Sequence, residues 1–338
     1  MTDLIAPVRH LLDGERGLWL APGDGVAPDG CAVVATSGST GTAKRVVLRR
    51  EALLAAADAA RERLGFTATW HLTLPPTYVA GLMVIVRGLA GDGVVETSLD
   101  ALTPRPGRNA VSIVGTQLYR ALQPGSDVAR RLAAFDAVLV GGARLAPELR
   151  AQAEAAGIRV IETYGMSETC GGVVWDGVPL PGVDIRIGEH GRIAIAGPQT
   201  FDGYLDAPEL TAETLVDGAV LTRDRGHVDG LRLVIDGRID DVVISGGVNV
   251  DLAEVRAAVA RLEPETEVIA VPDDEWGVRL VLFAPSGDLT SWRNLLRPHL
   301  PAAGLPRQVV ITDRLPRTEG GKPDRAALAE RAVTESAG

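Results

Sequence analysis

The chain of 338 residues has only two cysteines, Cys31 and Cys170, far apart and without companions at metal-ligand spacing. That excludes a disulfide framework and a structural zinc centre. Its five histidines (His10, His71, His190, His227, His299) are scattered and show no HExxH spacing. No apolar run approaches the roughly eighteen residues that a spanning helix needs. The first residues also lack a basic start, an apolar centre and a small-residue cleavage site. These absences lead to the expectation of a cytoplasmic protein without membrane insertion. Positive charge is scarce as well: a formal net charge of −10 argues against nucleic acid, whose binding needs a basic surface. Any anionic ligand must be held by local groups.

What is present is an ordinary globular balance, 46% apolar and 23% charged, on a chain long enough for two domains. Glu51–Leu64 has helical spacing and strong helix formers. Short apolar runs at 111–114, 137–140 and 158–161 alternate with helical stretches at 116–122 and 146–156, which predicts an α/β domain with a largely parallel sheet. Ligands bind at strand ends in such sheets. Two turns are expected there: Gly141, Gly142 and Ala143 after AVLV, and Tyr164 to Thr169 after IRVIE. From Asp184 the pattern changes to period two, a β-hairpin through DIRIG and RIAIAG, followed by a strand over 230–235. A small α+β unit begins near Gly237, with helices at 252–262 and 289–296, strands at 268–271, 278–283 and 308–311, and a polar tail after Ala332 expected to fray.

The stretch TSGSTGTAK, Thr36 to Lys44, reads as a phosphate cradle. Gly38 and Gly41 let backbone N–H groups turn towards an anion, Ser37, Ser39, Thr40 and Thr42 can donate to phosphate oxygens, and Lys44 adds charge at the exit. An isolated cluster of this kind is more often a polar surface turn. It is not a Walker loop, since Ala43 stands where that pattern needs glycine and Arg45 where it needs serine or threonine.

Four further motifs follow in order: YGMSET (164–169), TRD (222–224), GRIDDVVISGGVNV (237–250) and PRTEGGKPDR (316–325). Together the five resemble the adenylate-forming superfamily that includes acyl-CoA synthetases, and they span residues 36 to 325. The resemblance implies an α/β fold with a large N-terminal domain (1–236) that has a β-rich end, a hinge (237–240), and a small mobile C-terminal α+β domain (241–338) carrying a catalytic lysine loop. It implies ATP and Mg2+ as cofactors, CoA as co-substrate and a small carboxylic acid as the group activated; a homodimer is compatible with it.

By the same resemblance, Lys322 is the catalytic lysine, Glu168 a catalytic residue and Mg2+ ligand, and Asp240 the hinge pivot. ATP and AMP would be held by Thr36, Ser37, Gly38, Ser39, Thr40, Gly41 and Lys44 at the phosphates, and by Gly142, Ala143, Tyr164, Gly165, Ser167 and Thr169 around the adenine and α-phosphate. Asp224 and Arg238 would take the ribose, although Arg223 stands where the family usually has glycine. Tyr78, Gly81 and Gly141 fall at the acyl pocket, and Ser245, Gly246 and Gly247 on the CoA path. The loop begins at Thr36, where relatives carry a much longer preceding segment. This short front end and PPTYVAGL resemble a short actinobacterial form that activates a dianionic aromatic acid. Arg87, Arg108 and Arg144 are candidates for its second carboxylate. Three rival readings stand beside this one: another aryl or acyl ligase or a carrier-protein loader, a non-catalytic nucleotide-binding module, and a P-loop NTPase.

Overall fold

A sheet covered on both faces needs strands that are apolar on both sides, and the runs around Val111, Val138 and Val160 supply them. The computed structural model describes residues 4–36, 44–318 and 323–335. The chain divides into two compact units: Met1–Thr222 with His227–Val234, and Arg223–Gly226 with Ile235–Gly338.

The first unit opens with α1 (Ile5–Leu12) and a four-stranded sheet of β1 (Leu18–Trp19), β2 (Cys31–Thr36), β3 (Lys44–Arg49) and, from later in the chain, β13 (Gly203–Tyr204). Strands β2 and β3 are antiparallel. Their register runs from Cys31 opposite Arg49 to Thr36 opposite Lys44, and β3 is an element the sequence reading did not separate from the loop.

After α2 (Arg50–Leu64) comes the main sheet, in the order β10-β9-β8-β7-β6-β4-β5. Its strands are β4 (Thr69–Leu72), β5 (Gly93–Glu96), β6 (Asn109–Val114), β7 (Ala137–Gly141), β8 (Val160–Met166), β9 (Gly171–Trp175) and β10 (Val178–Pro179). The five from β4 to β8 are parallel, as expected, and β9 and β10 add antiparallel edges. The connecting helices are α3 (Val79–Leu89), α4 (Gly115–Ala121), α5 (Val128–Ala133) and α6 (Pro147–Ala155). Successive strand residues point to opposite faces. Ala110, Ala137 and Leu139 accordingly join the core built with α1, α2 and α3, while Val111, Ile113, Val138 and Val140 join the core built with α4, α5 and α6.

Strand β8 corrects one expectation. The motif from Tyr164 was expected to be a turn, yet the strand continues to Met166. It pairs in parallel with β7 as far as Glu162 and then antiparallel with β9 from Thr163 to Met166, and that change of partner sustains it.

The unit ends in a β-rich sheet of β11 (Asp184–Ile187), β12 (Arg192–Ala196), β14 (Leu215–Val216), β15 (Ala219–Asp229) and β16 (Arg232–Arg238), with α7 (Pro208–Thr214) between β13 and β14. The hairpin of β11 and β12 is the one the period-two pattern predicts.

In the second unit β17 (Val242–Ser245) and β18 (Val248–Asp251) form a hairpin that leads into α8 (Leu252–Leu262), whose start is capped by Asp251. A three-stranded sheet follows, β19 (Glu267–Asp273), β20 (Gly277–Ala284) and β21 (Gln308–Ile311). Val268, Leu280 and Leu282 pack with α8 and α9 (Leu289–Leu296); Ile269, Val281 and Phe283 pack with α10 (Arg325–Thr334). Helices α8 and α9 and strand β21 match the bounds read from the sequence. Helix α10 carries Leu328 and Ala332 into the core and ends at Thr334; of the tail after Ala332, residues 336–338 lie outside the described residues.

Candidate active site

In the first unit, Thr36 and Lys44 face each other as the last rung of the β2–β3 pair. Ser37, Gly38, Ser39, Thr40 and Gly41 lie outside the described residues, as does Lys322. Gly141 ends β7 with Thr163 against it, and Gly142 and Ala143 follow, exposed at the carboxyl edge of the parallel strands. Their loop is tethered by Glu162, whose Oε1 accepts the Leu145 N–H at 2.9 Å.

Tyr164 and Gly165 belong to β8. A Cβ at Gly165 would lie 2.0 Å from the Gly171 carbonyl oxygen, so only glycine lets β8 and β9 approach this closely. Ser167–Thr169 is a single 3-10 turn, closed by Cys170 in the left-handed region (φ 52°). Of the two hydroxyls expected as alternatives for the α-phosphate, Ser167 and Thr169, the turn holds that of Thr169. Thr169 is fully buried, and its hydroxyl accepts the Met166 N–H at 3.0 Å and lies 2.9 Å from the Gly171 carbonyl. A buried hydroxyl must be satisfied, and here the turn itself uses it. Ser167 remains half-buried.

Glu168 is also half-buried, and its Oε1 accepts the Tyr204 hydroxyl at 2.6 Å. On the same tyrosine, the Lys44 ammonium lies 5.1 Å from the ring centroid. The structure thus brings Lys44 and Glu168 to one aromatic side chain. Sequence reasoning missed Tyr204; the one available signal was that the chain holds only four tyrosines. Among the described residues no group of three His, Cys, Asp or Glu could hold a metal by itself. Mg2+ needs no such cage: it takes one or two carboxylates together with water and substrate phosphates, and Glu168 suits that role.

Tyr78 precedes α3, and Gly81 within it packs against the Pro75–Pro76 turn. Leu82, Val84 and Ile85 are fully buried core residues. Of the three arginines, Arg108 is committed to Asp136 at 2.6 Å. Arg87 is buried between Trp70 and Trp175, 5.2 and 5.8 Å from their ring centroids, and desolvation lowers its pKa to about 10. Arg144 is exposed, directly after Ala143.

In the second unit Arg238 joins Asp224 and Asp240. Its Nη1 donates to Asp224 at 3.2 Å, and its Nε and Nη2 donate to the two oxygens of Asp240 at 2.8 and 2.9 Å. Arg223, the departure from the family pattern, adds a longer ion pair to Asp240 at 3.6 Å. Hydrogen bonding to Asp240 is the main cause that raises the Arg238 pKa. Burial alone would raise that of Asp240, but the hydrogen bonds and charge of Arg238 and the charge of Arg223 outweigh it and hold the carboxyl below its usual range.

Ser245, expected on the CoA path, is 1% exposed and shares a face of β17 with Val243, which packs against the core of the unit. Gly246 and Gly247 form the exposed hairpin tip, both with positive φ, and Gly246 lies on the Trp276 ring where a Cβ would clash at 2.8 Å.

A protein-family model described as AMP-binding enzyme matches residues 16–205. The chain is 38% identical to a probable 2-succinylbenzoate–CoA ligase of Mycobacterium tuberculosis, over 94% of this chain and 88% of that one. Among solved structures it resembles Escherichia coli MenE with bound OSB-AMS, with TM-score 0.75 and 28% identity over 92% of this chain and 72% of that one. It also resembles ATP-bound MatB from Rhodopseudomonas palustris, with TM-score 0.77 and 26% identity over 89% and 67% of the two chains. On these matches, the chain belongs to the AMP-binding enzyme family.

Proposed function

We propose that this protein is an ATP-dependent acid–CoA ligase. A carboxylate attacks the α-phosphorus of ATP to give an acyl-adenylate and pyrophosphate, and the thiol of CoA then displaces AMP to give the thioester. The acid is 2-succinylbenzoate and the product 2-succinylbenzoyl-CoA, a step of menaquinone biosynthesis. The reading is supported by the relative that is 38% identical over 94% of this chain and is named for that reaction. The observation that carries it in the structure is the placing of Lys44 and Glu168 about Tyr204, a cation for phosphate beside a hard carboxylate for metal.

In this reading Lys44 holds the β- and γ-phosphates, Tyr164 offers adenine a ring face, and the exposed backbone of Gly142 and Ala143 lies at the strand edge where the nucleotide docks. Asp224, oriented by Arg238, accepts from the ribose hydroxyls. When bound, Mg2+ on Glu168 would neutralise charge on the leaving pyrophosphate. Lys322 offsets the charge that develops as two anions meet at the α-phosphate. The second unit then turns about Asp240, and Gly246 and Gly247 line the path of the CoA arm. A cytoplasmic location and a homodimer are compatible with this reading; fractionation and analytical ultracentrifugation decide them.

Pyrophosphate release measured over a panel of acids with CoA as acceptor tests the function. The highest kcat/KM is expected with 2-succinylbenzoate. Preference for a monocarboxylic aryl or fatty acid would reassign the substrate, and absence of ATP–pyrophosphate exchange with every acid would leave a non-catalytic nucleotide-binding module.

A further inference from the structure

We propose that Tyr204 is the positioning residue of the metal and phosphate site: its hydroxyl holds the Glu168 carboxylate, and its ring keeps Lys44 from pairing with that carboxylate. The proposal rests on the function proposed above and adds a residue to it. A lysine and a glutamate close together form an ion pair unless something intervenes, and a pair of that kind would spend the two charges needed for phosphate and metal. Among the described residues no ion pair joins Lys44 to Glu168; the two meet on different parts of one tyrosine instead.

The register explains the arrangement. Tyr204 of β13 lies opposite Val46 of β3, so Lys44, two residues along β3, is its diagonal neighbour on the same face. The 3-10 turn is tied to the same segment, since Phe201 N–H donates to the Glu168 carbonyl at 2.9 Å. That places the Glu168 side chain at the phenol end of the ring. The ring itself cannot swing away. Phe201 meets it edge-on at 5.0 Å, the Tyr204 N–H donates to Thr211 Oγ1 at 2.8 Å, and only 7% of the residue is exposed. The hydroxyl occupies Glu168 Oε1, which leaves Oε2 for a cation, while the ammonium rests on the ring.

Two substitutions separate the two duties. Tyr204→Phe keeps the ring and loses the hydroxyl; Tyr204→Leu loses both. Mn2+ binding in the presence of ATP, followed by electron paramagnetic resonance, should weaken about 10-fold in Tyr204→Phe, the scale usual for loss of a group that orients a metal ligand. ATP binding without metal should be unchanged in Tyr204→Phe and weakened in Tyr204→Leu, where Lys44 is free to close on Glu168. In a Glu168→Gln background, Tyr204→Phe should have no further effect on Mn2+. Wild-type Mn2+ affinity in Tyr204→Phe, or an equal loss in the Glu168→Gln background, overturns the proposal. If the wild-type protein binds no Mn2+ with ATP, the underlying reading of the site falls instead, and the role of Tyr204 falls with it.

Discussion

Arg238 grips Asp240 through two nitrogens, at 2.8 and 2.9 Å, and reaches Asp224 with a third at 3.2 Å. One guanidinium thereby fixes both the carboxylate proposed for the ribose and the residue proposed as pivot, using the planar fork that lysine lacks. The low pKa of Asp240 gives the pair a pH signature. Its contribution to stability is present above the ordinary carboxylate pKa near 4 and is lost as pH falls through the lower folded-state value. Because Arg238 and Asp240 are 41% and 31% exposed, that contribution is small, within about 1 kcal/mol. Thermal unfolding of Asp240→Asn beside the wild type should show a modest gap at neutral pH that closes as acid protonates Asp240 in the folded protein. A gap that persists in acid would mean that Asp240 acts through packing.

Much of this fold can be read from periodicity. The parallel strands, the β11–β12 hairpin and helices α8 and α9 follow from local patterns that agree with their tertiary setting. The failures lie where strand pairing and burial, not periodicity, decide the outcome. Strand β3 is hidden because KRVVLR leaves a polar loop directly and its pairing with β2 is what defines it. Strand β8 outruns its apolar segment because β9 takes over from β7. Thr169 and Ser245 look like ligand groups in a motif, and only the fold shows that both are buried. Tyr204 carries no local signal at all: it matters because β13 lies beside β3, from which it is separated by most of the first unit.

His71 supplies a second pH dependence, at a milder pH. It is 1% exposed, its Nε2 lies 3.0 Å from Asn109 Oδ1, and its Nδ1 has no partner among the described residues. Protonation would bury an unsatisfied N–H beside the Phe135 ring, whose centroid is 4.7 Å away. Burial accordingly lowers its pKa, and the Asn109 hydrogen bond opposes only part of that shift. The unfolded chain takes up a proton near pH 6.5 that the folded chain refuses, so stability should fall as pH drops below about 6.5. Urea unfolding at pH 7.5 and 5.5 should show a smaller loss in His71→Gln than in the wild type. Equal losses would assign the acid sensitivity to other groups.

Arg256 forms a bridge inside the second unit, from Asp241 at 2.7 Å to Glu267 at 2.8 Å, and Arg325 also approaches Glu267 at 3.5 Å. The bridge links the residue next to the proposed pivot with the strand that receives the start of α10. All three of its side chains are largely buried, so removing one partner strands a charge and should cost about 3 kcal/mol. Glu267→Gln should therefore raise hydrogen-exchange rates across α8 strongly, while the triple substitution Asp241→Leu, Arg256→Met and Glu267→Leu, which leaves none of the three charges behind, should recover much of the loss. Exchange in Glu267→Gln at wild-type rates would show that Arg325 and solvent compensate.

The two half-reactions provide the functional test of the catalytic roles, because they can be run separately. If Lys322 acts by offsetting charge at the α-phosphate, its benefit belongs to adenylation, where two anions are brought together, and not to thioester formation, where the adenylate is already made. Lys322→Ala should slow adenylation by about 100-fold or more, in line with loss of one preorganised electrostatic group. It should leave CoA transfer to preformed acyl-adenylate largely intact. Asp240→Pro should do the opposite: proline fixes φ near −65° at the position proposed to turn, so adenylation continues while thioester formation fails. Stopped-flow pyrophosphate release and thioester formation from added acyl-adenylate read the two steps independently. Equal loss of both steps in Lys322→Ala would remove it from the charge-offsetting role, and normal thioester formation in Asp240→Pro would remove Asp240 as the pivot.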